Sequence, residues 1–274
     1  MNTAENCRVL VFGAHPDDAE IFAGGLIARQ CNRGACVRII SVTDGRSGHH
    51  EVAPEVLIGL RRLEAARAGK SVGAQAYLTW DFPDGSLVPD LILRQAIIRE
   101  IREFQPHIVL THRTNDYHPD HRAVGTAVQD ASYMVTVPHV CPESPALKFD
   151  PVVAYMCDLF TRPCKFRPDI VLLTAEEGRQ VVDMVACHAS QVFQWLPFHD
   201  GLMDQLPNDY SARLVWLEGW LRGLHMLRHE HFSNELQRLG VTAAAGPIEL
   251  YEVSEYAGRM HSDHREWLFP GAIT

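Results

Sequence analysis

Two short windows, His15-Pro16-Asp17-Asp18 and His118-Pro119-Asp120-His121, gather histidines and aspartates of the kind that hold divalent metals and move protons. A catalytic zinc usually keeps three protein ligands and one open corner, with bonds of about 2.0–2.2 Å. His15, Asp18 and His121 supply that set. An aspartate three residues after a histidine, on a turn entering a helix, converges with it on one ion, and the third ligand arrives from a distant segment. Such an ion lowers the pKa of water from about 15.7 to about 7 and polarises a carbonyl oxygen; amide hydrolysis needs both effects. Asp17 is then left to take the proton from the attacking water and pass it to the departing amine, a role worth roughly 10²–10⁴-fold in rate. His118, protonated or oriented by Asp120, donates a hydrogen bond to the tetrahedral oxyanion, where one lost donor costs about 2.7–4 kcal/mol. Tyr117 stands next to it and is placed to assist.

Other readings use the same residues. Asp17 also fits as the cap of a helix starting near Ala19, and Glu20 fits a structural role. Two histidines and a carboxylate are equally the facial triad of Fe(II) oxygenases, so Fe2+ or another divalent ion stands beside Zn2+. The third reading is a noncatalytic, metal-dependent ligand-binding module.

Both windows follow apolar, strand-like runs, at 8–14 and 107–111. In a parallel sheet both emerge at the carboxyl edge, where open α/β folds place their ligands. Further runs at 36–43 and 76–80 read as strands, separated by helical stretches at 21–33, 54–72 and 91–104. The second of these helices takes its apolar spacing from Val56, Leu60, Leu63 and Ala66. With the first strand central and the chain reversing across the sheet, the order 3-2-1-4 makes the first and fourth strands neighbours, so the windows face each other. A helix at 121–135, strands at 152–157 and 169–173, helices at 175–195 and about 211–229, and a late strand at 248–253 complete the pattern. The expected fold is α/β, a Rossmann-like, mostly parallel sheet sandwiched between helices. It is expected as one domain over 1–274, with a motif-bearing core at 8–195 and a helical C-terminal elaboration at 196–274. No G-x-G-x-x-G follows the first strand, which leaves nucleotide binding little support.

The balance of 25 basic against 34 acidic residues, net −9, argues against nucleic acid, whose phosphates need clustered Lys and Arg. No run is long and apolar enough to span a membrane. Seven cysteines, odd in number and without a C-x-x-C pair, suit reduced thiols and a cytoplasmic location. His261-Ser262-Asp263-His264 has the spacing of a second metal site but reads as an exposed polar turn, and His225, His229 and His231 read as surface or interface residues. Trp216, Trp220 and Leu224 offer an interface, hence a homo-oligomer, if the late helix is not buried. Trp80, Phe82, Trp195 and Phe198 either stack on a sugar or fill the core.

The chain resembles the PIG-L/LmbE-like family of zinc-dependent N-deacetylases. The resemblance lies in Gly13-Ala14-His15-Pro16-Asp17-Asp18-Ala19-Glu20 followed by Gly24-Gly25, in Val42-Thr43-Asp44-Gly45, and in the spacing of Arg61, Glu64, Ala68, Val72 and Gly73. It continues through Phe82-Pro83-Asp84-Gly85-x-Leu87 and His118-Pro119-Asp120-His121 to a weaker element, His188-x-Ser190-Gln191. It implies a Rossmann-like fold without nucleotide and an N-acylated amino sugar or conjugate as small-molecule substrate. It also implies His15, Asp18 and His121 as zinc ligands, Asp17 as general base and His118 at the oxyanion. Arg61 is implied to contact substrate; the alternative is a solvated helix charge beside Arg62. Tyr117 stands where some relatives carry a basic residue, and the tail from 196 to 274 matches no family pattern.

Overall fold

The computed structural model describes residues 6–273. Strand and helix alternate from the start: β1 (Arg8–Gly13), α1 (Asp18–Asn32), β2 (Cys36–Thr43), α2 (Pro54–Val72), β3 (Ala76–Phe82), α3 (Leu91–Phe104), β4 (Ile108–Thr111) and α4 (Pro119–Met134). Then come β5 (Val152–Met156), β6 (Ile170–Leu173), α5 (Gly178–Ala186), a π-helical turn (Gln191–Trp195), α6 (Leu196–His199), α7 (Tyr210–His231), α8 (Ser233–Arg238), β7 (Ile248–Val253) and α9 (Ser262–Leu268). The sheet runs β3-β2-β1-β4-β5-β7-β6, with the order 3-2-1-4 as expected. β1 to β5 pair in parallel, and β7 inserts antiparallel between β5 and β6.

β1 is apolar throughout because both of its faces are covered. Val9 and Val11 pack toward α1 and α5, whereas Leu10 and Phe12 pack toward α3 and α4. Helix ends fall where the backbone permits them: Gly73 closes α2 at φ 77°, a left-handed cap that costs glycine little. Trp80 and Phe82 pack against the second of these cores. Trp216, Trp220 and Leu224 pack against the first, so they do not form the exposed stripe expected for an interface. Among the described residues no helix is long and apolar enough to cross a membrane.

Three local expectations are corrected. In α2, Val56 and Leu63 are exposed, while Leu57, Arg61, Glu64, Ala68 and Val72 are buried. The covered face of this helix is partly polar because it meets the site, which inverts the apolar reading. The helix expected at 175–195 breaks after Ala186, where His188 and Ser190 turn inward to bond Glu20 and Glu64. His225 and His229 are not surface residues: they meet the carbonyls of Ile248 and Gly246 at 3.0 and 2.8 Å.

The β1–β4 pairing that carries both windows is closed at its start by His107. Its ring Nδ1 accepts the Arg8 main-chain N–H at 3.0 Å, and its main-chain N–H donates to the Arg8 carbonyl at 2.9 Å. Burial, helped by the Arg8 charge, pushes this imidazole down to about 4. An imidazole depressed in the fold is protonated first in the unfolded chain, so its contribution is complete above about pH 6.5 and is lost as pH falls toward 4. Urea unfolding at pH 7 and pH 4.5 is expected to show a smaller acid loss for His107→Asn than for the parent chain.

Candidate active site

The two windows meet at the carboxyl ends of β1 and β4. Gly13 ends β1 because a Cβ there would lie 2.9 Å from the Asp18 Cβ, and Gly125 lets α4 approach β4, where a Cβ would meet the His112 carbonyl at 2.5 Å. With these close approaches, His15 Nδ1 lies 3.4 Å from Asp18 Oδ2, His121 Nε2 lies 3.4 Å from Asp18 Oδ1, and the two ring nitrogens are 3.3 Å apart. Ligands at about 2.0–2.2 Å in a tetrahedron stand roughly 3.3–3.6 Å from one another. Each separation has the length of one tetrahedral edge, the two from Asp18 ending on different carboxylate oxygens, and the same donors also group as His15, His118 and His121 and as Asp18, His112 and His121.

The outward nitrogens of both rings face carboxylates. His15 Nε2 lies 3.2 Å from Asp84 and 3.5 Å from Asp120, and His121 Nδ1 lies 3.2 Å from Asp116. Carboxylates in that position orient metal-binding imidazoles and raise their basicity. Asp84 and Asp116 escaped the sequence reading. Asp84 lay within a motif to which no role was given, and Asp116 stands alone in a loop.

The roles expected around His118 change in part. Asp120 does not hold His118 through its carboxylate, which instead accepts the N–H groups of Gly85 at 2.7 Å and Leu87 at 3.2 Å. In the first turn of α4 its side chain points to the loop after β3, and its main-chain N–H is what reaches His118 Nδ1, at 3.2 Å. Burial and the neighbouring His15 and His121 hold His118 below its ordinary pKa. The ring is thus neutral at pH 7, with its proton on Nε2, rather than protonated. Tyr117 is 68% exposed at the mouth, its ring centroid 5.6 Å from those of both His118 and His121.

Asp17 precedes α1 but makes no side-chain cap bond, so the capping alternative is not realised. Its backbone is held at φ 129°, a left-handed conformation unusual for a residue with a side chain. Its N–H donates to the Tyr77 hydroxyl at 3.3 Å, and Arg61 clasps the other side, donating to the Pro16 carbonyl and lying 3.4 Å from Asp17 Oδ2. Arg61 is 2% exposed, which excludes the solvated helix charge.

Burial, the largest influence on each charged group here, opposes ionisation. It pushes Asp17 up to about 6 against the lowering effect of Arg61. Asp18 stays well below the usual carboxylate range because His121 and His112 face it. His15 is raised well above its ordinary value by the carboxylates of Asp120, Asp18 and Asp84 that face it. These groups open into a cavity of about 510 Å³ whose walls also include Ser47, Gln191, Phe22, Phe160, Trp195 and four residues of α7. Phe198 stacks on His50, 3.8 Å between ring centroids, outside that lining. His261 and His264 stand at the start of α9 and join no candidate metal group among the described residues.

Residues 10–132 match the family described as PIG-L: GlcNAc-PI de-N-acetylase. This segment is PIG-L-like. A 1D-myo-inositol 2-acetamido-2-deoxy-alpha-D-glucopyranoside deacetylase of Rhodococcus erythropolis is 30% identical over 170 residues, 50% of this chain and 57% of that protein. A 4-oxalmesaconate hydratase of Pseudomonas putida is 26% identical over 203 residues, 71% of this chain and 78% of that protein. The N,N'-diacetylchitobiose deacetylase of Pyrococcus horikoshii shares the fold at TM-score 0.70 and 20% identity, over 91% of this chain and 84% of that one. The match spans about half the length of the first relatives. The PIG-L-like segment holds His15, Asp18 and His121 together with the carboxylates that face them, Asp84, Asp116 and Asp120.

Arg61→Met leaves the buried Asp17 without its counter-charge. Carbon-13 NMR of the Asp17 carboxyl is expected to show its titration moving to higher pH, and thermal melting to show destabilisation of roughly 3–5 kcal/mol.

Proposed function

We propose that this chain is a zinc-dependent N-deacetylase acting on an N-acetylated amino sugar or a small glycoside conjugate. The observation that carries the reading is the donor triangle of His15, Asp18 and His121 standing beside the strained Asp17 in one cavity. Those three residues would hold the ion. His112 and His118 are the competing ligands, but His112 Nε2 already meets the Ala14 N–H at 3.1 Å and His118 Nδ1 the Asp120 N–H at 3.2 Å. Zinc, when bound there, supplies Lewis-acid polarisation of the carbonyl and a lowered pKa for water.

The remaining steps belong to side chains. Asp17, ionised above about pH 6, takes a proton from the attacking water as oxygen bonds to the carbonyl carbon. The same carboxyl then gives that proton to the nitrogen as the C–N bond breaks, releasing acetate and a free amine. His118 donates from Nε2 to the carbonyl oxygen as negative charge builds on it. Arg61 acts on Asp17, holding its carboxylate and the preceding carbonyl in place.

The Pseudomonas relative supports a second reading, hydration, because water activation and a proton carrier serve water addition as well as amide cleavage. Zinc-loaded protein assayed against N-acetylated amino sugars and conjugates is expected to release free amine and acetate without oxygen consumption. Consumption of 4-oxalmesaconate with no amine release from any of the amides would replace the deacetylase by a hydratase, and oxygen uptake would favour an oxygenase.

Asp17→Asn is expected to lower kcat by roughly 10²–10⁴-fold while metal content by atomic absorption stays the same. His118→Ala is expected to cost about 10²–10³-fold in kcat, again with metal retained. Loss of metal with His118→Ala would instead make it a ligand.

A further inference from the structure

We propose that the cavity takes an N-acyl chain longer than acetyl, laid along an apolar wall that starts beside His118 and His121 and extends to α7. This rests on the hydrolase reading above and adds the substrate class of the same site.

The two sides of the cavity differ in chemistry. On the Asp17 side the lining is polar: Arg61, Ser47, whose N–H donates to Asp84 Oδ2 at 3.0 Å, and Gln191, whose amide donates to the Gly48 carbonyl at 2.8 Å. On the other side it is mostly apolar, its charged members Asp116 and Asp158 being turned to His121 and Arg113. Phe22 lies 6.3 Å from the His121 ring, and Tyr117 packs on His118 and His121 with Phe160 6.1 Å beyond it. Arg228 ties α7 to this side by donating to the Ile21 carbonyl at 3.0 Å. Trp220, Leu224 and Leu227, spaced to lie along one helical face, thereby enter the same cavity.

Three of these apolar side chains are exposed at the mouth: Tyr117 at 68%, Phe160 at 38% and Leu227 at 50%. Neighbouring large apolar groups left in water around a cavity mark a binding surface. The bond geometry of the reaction says which part of the substrate meets them. The carbonyl carbon carries three substituents: the nitrogen leaves toward Asp17 and the polar side, and the oxygen meets His118. The third is the acyl chain, which is left for the apolar side. A methyl group fills little of a wall drawn from α1, α7 and two loops. Hydrolysis keeps its balance: water oxygen joins the carbonyl carbon, the C–N bond breaks, nitrogen takes the proton, and a longer carboxylate leaves in place of acetate.

The test uses the zinc-loaded full chain and glucosamine carrying N-acetyl, N-butanoyl, N-hexanoyl or N-octanoyl groups, with free amine as readout. A fully buried methylene is worth at most about fourfold. We expect kcat/KM to rise along the series, at least tenfold from acetyl to hexanoyl. Leu227→Asp and Phe160→Ser, both at exposed positions where the fold tolerates change, are expected to collapse the hexanoyl-to-acetyl ratio. Equal rates, or acetyl fastest, would overturn the proposal while leaving the hydrolase reading intact. If no amide is cleaved, titration of N-octanoylglucosamine against N-acetylglucosamine, followed by the fluorescence of Trp195 and Trp220, decides. Binding at least tenfold tighter for the octanoyl compound upholds the wall and sinks the hydrolase reading; equal binding sinks the wall.

Discussion

A surplus of buried negative charge at the meeting point of β1 and β4 governs the rest of the structure. Asp17, Asp18, Asp84, Asp116 and Asp120 converge near two imidazoles, and Arg61 sets a guanidinium beside Asp17. Carboxylates removed from water must be compensated, or they neutralise. Part of the compensation is built into the fold, because α1 and α4 both begin here and the amino ends of helices carry partial positive charge. Main-chain N–H groups of Gly85 and Leu87 supply more to Asp120. The imidazoles of His15 and His121, held above their ordinary values by the carboxylates facing them, offset more of it, and a divalent cation bound among these groups would offset the rest without a further side chain.

The same demand explains why so much polar structure lies behind Asp17. A left-handed aspartate costs about 1–3 kcal/mol and persists only where its surroundings over-determine it. Arg61 and Tyr77 hold the peptide from opposite sides, and Tyr77 in turn reaches Glu20, which pairs with the fully buried His188 at 3.0 Å. Glu64, one turn from Arg61 on α2, accepts both the N–H and the hydroxyl of Ser190. Such buried pairs are poor evidence of stability, since their desolvation offsets much of their attraction. Their consequence is positional: α1, α2, β3 and the segment after α5 are locked in one register around the Asp17 carboxyl.

How much of this was legible follows from range. β-Branched runs ending in Gly or Asp, and helices ending in Gly, are local signals, and a central first strand with the chain reversing across the sheet converts them into a strand order. The facing of the two windows was therefore derivable. The partners of the ring nitrogens were not, because Asp84 and Asp116 sit singly in loops and acquire meaning only through the turn that brings them to an imidazole. Asp120 misled for the opposite reason: adjacency to His118 in sequence suggested a side-chain contact that the first turn of α4 makes with main chain instead. The 175–195 stretch has helical spacing throughout, and only long-range bonds to Glu20 and Glu64 interrupt it. On α2, burial of Arg61 and Glu64 reversed a face that hydrophobicity alone assigned the other way.

Chemistry and recognition are also written in different parts of the chain. All of the donor triangle, its supporting carboxylates, Asp17 and His118 fall between residues 15 and 121, inside the segment that matches a family. Phe160, Trp195, Trp220, Leu224 and Leu227, which enclose the same cavity, fall outside it. A triangle of ligands tolerates displacements of only a few tenths of an ångström, so its residues and their glycine approaches must recur wherever the chemistry does. An apolar wall asks only for volume and hydrophobicity, which many side chains meet equally well. The cavity is thus drawn from two parts of the chain, its metal-ligating side chains from the matched segment and much of its apolar wall from residues beyond it.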